Sequence, residues 1–372
     1  MLIIALGSIA SGSTWAFNVA RLLLKNARSN THSLSSAEAI ELLNNIPSGP
    51  GDVLVKAHWI DQPFVSLASL SHARIIITTR DPRDSFVSHR ERFGATLQEA
   101  VRDLSRTSAT LGMLPITART LWLKYEDGFT DDPVTIARIA SFLDLNLDGA
   151  ILRSIYDELR PERVARAIDR AVARGSMEEH GFDDSTHWHL SHVGDGGCEK
   201  WRHRLQPDDQ EAVIGALGTD FSTGETSPTI FWSPKLFTYY DERAGTSEEW
   251  LSCNGEEQPL IWGPYLHLVA GRWQIRPLVR LEDEDQPVTI RVDTFIPVPG
   301  RDVLALRAVS LPVTSPDRLT MEFDHHDHMD PIELRISSIG DRRIGSLYFS
   351  GVELTRLGPS ERKQRIIAHP IN

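Results

Sequence analysis

Apolar and polar positions divide the chain into two textures. In the first, short apolar runs alternate with stretches of helical spacing. "LIIAL" (2–6) predicts a buried strand that runs into a glycine-rich turn, and "STWAFNVARLLLKNA" (13–27) then has apolar residues three and four apart. "DVLVKAHW" (52–59), "ARIIIT" (73–78) and "TLWLKYED" (120–127) predict three further strands. Between and after them come helical patterns. "TDDPVTIARIASFL" carries Asp at an N-cap and Pro at the first helical position, and "LQPDDQEAVIGAL" (205–217) repeats that device. Apolar strands alternating with helices predict a parallel sheet in a three-layer α/β domain.

After about residue 222 the texture changes. "FSTGETSPT" has the composition of a linker. Beyond it, runs such as "RWQIRPLVRL", "VTIRVDTF", "IELRISSI" and "GSLYFSGVEL" alternate apolar with polar residues between turn signals. That is the pattern of a mostly antiparallel, jelly-roll-like β-sandwich. The expected division is an α/β domain over 1–222, a linker over 223–231 and a sandwich over 232–372.

Composition narrows the function. The 372 residues are 41% hydrophobic and 24% charged, with a formal net charge of −12. Such a balance argues against a nucleic-acid partner, so an anionic ligand needs a local positive site. Two cysteines, Cys198 and Cys253, cannot build a disulfide framework or a cysteine-rich zinc site. "MLIIALG" lacks a basic segment and is too short for a signal peptide, and no run approaches a membrane span. A cytoplasmic protein is expected, of undetermined oligomeric state.

Three stretches bear chemistry. "LGSIASGSTW" (6–15) has a phosphate-loop spacing, Gly7 and Gly12 between a strand and a helix. Backbone amides at such a helix start bind anions, and Ser13 and Thr14 add hydroxyls. The loop lysine of nucleoside triphosphatases is replaced by Ser13, which favours a single phosphate or phosphosulfate. "VKAHW" sets Lys56 and His58 two apart, on one side of a strand. A cation beside an imidazole suits transfer of an anionic group. "TTRDPRDSFVSHRERF" places Arg80 at a strand end and Ser88 eight residues on, where ligands of open α/β sheets bind. No carboxylate cluster lies near the loop to hold magnesium, so no metal is expected.

Together these stretches resemble the sulfotransferases that use 3′-phosphoadenosine 5′-phosphosulfate (PAPS). "SIASGSTW" is similar to that family's 5′-phosphosulfate loop, "KAH" to its Lys-Thr-His segment, and "TRDPRDSFVSHRERF" to its 3′-phosphate segment. "LWLKYEDGFTDDP" and "GGCEKWRHRLQPDD" extend the likeness over about residues 1–221. The resemblance implies that Ser11, Gly12, Ser13, Thr14 and Trp15 cradle the phosphosulfate. It implies Arg80 and Ser88 on the 3′-phosphate and Tyr125 against adenine. His58 would be the general base on an acceptor hydroxyl and Lys56 would stabilise the leaving group. The implied product is 3′-phosphoadenosine 5′-phosphate (PAP). A carbohydrate is the preferred acceptor, by analogy of the second domain with sugar-binding jelly rolls.

Two departures stand out. The family has a basic residue where this chain has Ala10. Its late Arg-Lys-Gly run is replaced by "HLSHVGDGGCEKW", where His192, Lys200 or Arg202 are the available stand-ins. Two other readings therefore accompany the transferase: a non-catalytic nucleotide- and glycan-binding relative with a degenerate site, and a P-loop kinase using a nucleoside triphosphate. Elsewhere, "DHHDHMD" (324–330) is expected to be a solvated hairpin loop, and "HWHLSH" (187–192) to line an acceptor site or form a polar loop. Trp232, Tyr239, Tyr240, Trp262, Tyr265 and Trp273 are expected to be mostly core.

Overall fold

In the computed structural model, the described residues are 1–28, 30–114, 117–175, 182–183, 185–190, 193–194, 196–219, 221, 229–240, 251–253, 256–282, 288–297, 303–311, 319–339 and 345–360. They form two compact units, Met1–Gln210 with Thr219–Phe221, and Glu211–Gly218 with Ser222–Asn372. Among the described residues, no helix is long and apolar enough to cross a membrane.

The first unit begins β1 (Leu2–Gly7), α1 (Ser13–Ala27), β2 (Thr31–Ser35), α2 (Ala39–Asn45), β3 (Asp52–Ala57) and α3 (Gln62–Leu70). It continues with β4 (Arg74–Thr79), α4 (Pro82–Phe93), α5 (Leu97–Met113), β5 (Thr120–Lys124) and a 3₁₀ turn at Tyr125–Asp127. Then follow α6 (Pro133–Phe142), α7 (Gly149–Glu158), α8 (Pro161–Ala173) and α9 (Trp201–Arg204), with α10 (Pro207–Leu217) running from the first unit into the second. The strands make one parallel sheet in the order β2-β3-β1-β4-β5.

Alternation along the strands explains the layers. Ile3, Ala5, Leu54 and Ile76 face a core completed by Phe17 and Leu23 of α1, Ile136 of α6 and Ile155 of α7. Their alternates Ile4, Leu6, Val55, Ile75 and Ile77 are equally buried, so the second face is covered too. This is the expected three-layer α/β arrangement. Capping follows the sequence: Asp81 and Asp132 each accept an amide of the following helix, with Pro82 and Pro133 at its start. The edge strand β2 is an addition to the strands expected from the sequence.

The second unit contains two five-stranded antiparallel sheets. Its strands are β6 (Thr229–Trp232), β7 (Thr238–Tyr239), β8 (Leu251–Cys253), β9 (Gln258–His267), β10 (Gly271–Leu281), β11 (Val288–Phe295), β12 (Val303–Leu311), β13 (Met321–His325), β14 (Pro331–Ser338) and β15 (Gly345–Gly358). One sheet runs β13-β10-β15-β6, with β8 also on β15; the other runs β12-β11-β14-β9-β7. The stretch 223–231 ends inside β6, and 223–228 lies outside the described residues. Trp232 and Trp273 are fully buried, as expected of core aromatics, whereas Tyr240 is exposed.

The segment 324–330 departs from expectation. It joins β13 of one sheet to β14 of the other, so it is not a hairpin. His325 and His328 are completely buried rather than solvated. The link between the sheets buries His325, His328 and Asp330, while His326 stays exposed.

Candidate functional site

The central strand β1 pairs with β3 on one side and β4 on the other, so its carboxyl end is a topological switch point. The chain turns there at Gly7, where a Cβ would lie 2.0 Å from Thr78 Oγ1, so a side chain does not fit. Ala10 (φ 61°) and Gly12 (φ 81°) are both left-handed, and Gly12 caps α1 without a side-chain bond. The first amides of α1 are thereby left for a ligand. Ser11 is spent inside the loop. Its buried hydroxyl lies 2.7 Å from Ser8 O, 3.1 Å from Thr78 O and 2.6 Å from Thr78 Oγ1.

On β3, Lys56 is buried at 4% exposure and lies beside half-buried His58, with Nζ 3.4 Å from His58 Nε2. His58 Nδ1 is 2.8 Å from the Gly7 carbonyl, which can only accept, so Nδ1 carries the proton and Nε2 the lone pair. Burial lowers the Lys56 pKa to about 7. Burial, and then the charge of Lys56, lower that of His58 to about 3. The imidazole is therefore neutral at physiological pH, with its basic nitrogen next to the Lys56 amine, which is charged below about pH 7.

Arg80 follows β4, and Ser88 sits on α4. The guanidinium Nη1 is 3.4 Å from Ser88 Oγ and donates to the Ala10 carbonyl at 3.1 Å. Nη2 donates to Gly197 O, and the guanidinium lies 4.4 Å from the Tyr125 ring centroid. Arg80 Nε is buried without a partner. Tyr125 belongs to the 3₁₀ turn after β5, and its hydroxyl reaches Gly196 O at 3.4 Å.

The late glycine-rich stretch is held by α4. Asp84, 1% exposed, accepts from the Glu199 amide at 2.7 Å and the Trp201 amide at 3.2 Å. Arg83 stacks 3.4 Å above the Trp201 ring. Lys200 joins the cavity wall and lies 3.6 Å from Glu91, whereas exposed Arg202 pairs with Glu199 at 2.8 Å. His192 lies outside the described residues.

These parts surround one cavity of about 530 Å³. Gly12, Ser13, Thr14, Trp15, Lys56, His58, Arg80, Ser88 and Tyr125 all line it, and Ser11 does not. His187 and His189 of the histidine-rich stretch line it as well, along with the aromatics Trp59, Phe93, Phe182 and Trp188. Burial, then Arg92, lowers the His189 pKa to about 4.

One pair escaped the sequence reading. His89 is 6% exposed, and its Nε2 lies 2.9 Å from Asp103 Oδ2, while its buried Nδ1 has no partner. Both residues line the cavity. The available signal was spacing: Ser85, Ser88, His89 and Arg92 share one face of α4 at intervals of three, four and seven.

The arrangement defines a P-loop-type α/β domain whose carboxyl edge combines a glycine loop, buried cations and a neutral histidine. Among solved structures, the chain is similar to retinol dehydratase in complex with androsterone and inactive cofactor PAP, at 16% identity and a TM-score of 0.44, over 61% of this chain and 81% of that one. A retinol dehydratase complex with retinol and PAP gives 16%, 0.41, 61% and 82% for the same quantities. A mouse sulfotransferase complexed with PAP gives 13%, 0.44, 61% and 84%. TmCBM61 in complex with β-1,4-galactotriose is 19% identical, with a TM-score of 0.19, over 37% of this chain and 93% of that one. No protein-family model and no curated protein matches the chain.

Proposed function

We propose that the first unit is a sulfotransferase that moves a sulfuryl group from PAPS to a hydroxyl, with PAP as the other product. The observation that carries this reading is the convergence of His58 Nε2, Lys56 Nζ and the Arg80–Ser88 pair on one cavity beside the glycine loop. The donor fits the residues present. The amides after Gly12 suit an anion, and Arg80 keeps a buried Nε–H without a partner.

The donor supplies a sulfur centre whose bond to the 5′-phosphate oxygen breaks as the acceptor oxygen bonds to sulfur. His58 accepts the hydroxyl proton at Nε2, because Nδ1–H is held on Gly7 O. Lys56 places positive charge next to that nitrogen and beside the loop, where negative charge develops on the leaving phosphate. Arg80 and Ser88 hold the 3′-phosphate, and Tyr125 offers its ring toward adenine. Ser13, Thr14 and Trp15 present their amides to the phosphosulfate, and Ser11 shapes the loop from behind.

A carbohydrate is the acceptor class of this reading. Trp59, Trp188, Phe93 and Phe182 give the cavity ring faces on which sugars stack, and the histidines give polar contacts. The β-rich unit, residues 232–372, is assigned here as a glycan-binding accessory domain. Its support is a polar groove of about 600 Å³ lined by Gln274, Arg276, Glu322, Glu353 and Thr355. A chain of two cysteines suits a reducing, cytoplasmic setting.

The test is transfer of radiolabelled sulfate from PAPS to a glycan panel, with wild type beside His58→Ala. Transfer that depends on His58 is expected. A protein that binds PAP and transfers to nothing is the degenerate binder that Ala10 favours, and one that binds ATP but not PAP overturns the transferase reading in favour of the nucleoside-triphosphate one.

A further inference from the structure

Helix α8 carries a charge pattern for which the transfer reaction has no use. Arg160 at its N-cap, Arg163, Arg166 and Arg170 within it, and Arg174 at its C-cap are all exposed. At about 100° per residue, the five fall within a sector of about 120°. At about 1.5 Å per residue, they span roughly 21 Å along the axis. This is a narrow basic track on a protein of formal net charge −12.

Among the described residues, only Arg160 has a carboxylate partner, Asp157 at 3.7 Å. Arg166 and Arg170 each bond through Nε to a backbone carbonyl one turn back, Glu162 O and Arg166 O. Aligned guanidinium forks suit repeated carboxylates or sulfates, each taken bidentately.

The shape of the track selects among anions. It is one helix wide. Glu162 and Asp169 border it on one edge, and the packed apolar edge of Val164 and Ile168 lies on the other. A flat anionic bilayer would meet those two carboxylates, and the exposed apolar Val172 lies on the far flank of the helix. The chain's net charge opposes a nucleic acid. The net charge weighs on every polyanion alike, but a linear polysaccharide with a charge on each repeat fits a track one helix wide and brings sugar rings to the aromatics of the adjacent cavity. The same helix walls the cavity through Pro161 and Val164, so the track lies within about one helix diameter, roughly 10 Å, of the cavity wall.

We propose that the α8 arginine track holds a linear anionic polysaccharide and that this polymer is the acceptor. The proposal rests on the sulfuryl-transfer reading of the cavity and sharpens its acceptor class. The test uses the full chain, titrated calorimetrically with polygalacturonate, with neutral dextran as control, for wild type and the triple variant Arg163→Ala, Arg166→Ala, Arg170→Ala. All three positions are exposed and alanine keeps the helix. Wild type is expected to bind polygalacturonate but not dextran, with affinity falling as salt rises. The triple variant is expected to bind at least ten-fold more weakly, with PAP affinity unchanged. Equal affinity of the two proteins for the polymer overturns the proposal. So does binding to phosphatidylserine vesicles or polyglutamate in preference to polygalacturonate. Failure of wild type to bind PAP instead removes the transferase reading, and the acceptor role with it, whatever the polymer titration gives.

Discussion

The Arg80 guanidinium donates to the Ala10 carbonyl at 3.1 Å and lies 3.4 Å from Ser88 Oγ. The cation missing from the side chain of residue 10 is thus met by one from the next strand, bound to that residue's backbone. The left-handed loop conformation at Ala10 turns this carbonyl toward Arg80.

That conformation costs a residue with a Cβ on the order of 1 kcal/mol. Ala10→Gly is expected to leave thermal stability unchanged or raise it by up to about 1 kcal/mol, because strain relief and added unfolded-state freedom oppose each other. Arg80→Ala is expected to weaken PAP binding by ten-fold or more. Thermal melts and calorimetry measure the two.

Lys56 predicts a proton linkage. Its pKa of about 7 in the free protein lies below its ordinary 10.5 because of burial. The unfolded chain therefore binds more protons between those values, and this residue's contribution to stability rises with pH across that window. An anion beside Lys56 favours its charged form. PAP binding at pH 8 should take up a proton, and affinity should fall as pH rises above 7. Calorimetry in two buffers of different ionisation enthalpy reads the uptake, which should vanish in Lys56→Met.

His89 and Asp103 predict a split between ligands. His89 Nε2 is held by Asp103, and Nδ1 is left without a partner beside the cavity. Replacing it with Phe should raise the acceptor KM about ten-fold, the scale of one lost hydrogen bond in a desolvated site. PAP affinity should stay within two-fold. A change in PAP affinity equal to the change in KM would mean that the pair only supports the fold.

His325 predicts acid lability in the β-rich unit. It is fully buried, and burial, then His267 and His328, lower its pKa to about 3. Protons therefore bind the unfolded chain first as pH falls below 6.5, and stability is lost from there down to about 3. The slope for one such group is about 1.4 kcal/mol per pH unit. Urea unfolding between pH 7 and 4 should show this loss, reduced in His325→Phe.

Much of this was legible in the chain. Helix α1 covers the same residues, 13–27, that apolar spacing indicates, and β11 covers 288–295. These elements bury a continuous face, which writes a period into the sequence. The edge strand Thr31–Ser35 is half-buried and polar, "THSLS", so it leaves no such trace. The buried histidines of 324–330 were hidden because a short polar link does not reveal that its two strands belong to different sheets. In the site, strand ends and loop glycines locate Lys56, His58, Arg80 and Gly12. The roles of Ser11 and Asp84 depend on who meets them in space. One hydroxyl turns to Thr78, and one carboxylate takes the amides of Glu199 and Trp201 from more than a hundred residues away.

The most direct test of the central claim is the rate of sulfate transfer from radiolabelled PAPS to polygalacturonate, for wild type and His58→Ala. The account predicts measurable transfer by wild type and a loss of about 10²–10⁴-fold in the variant, the usual contribution of a positioned base, with PAP affinity retained. Equal rates for the two proteins would contradict it.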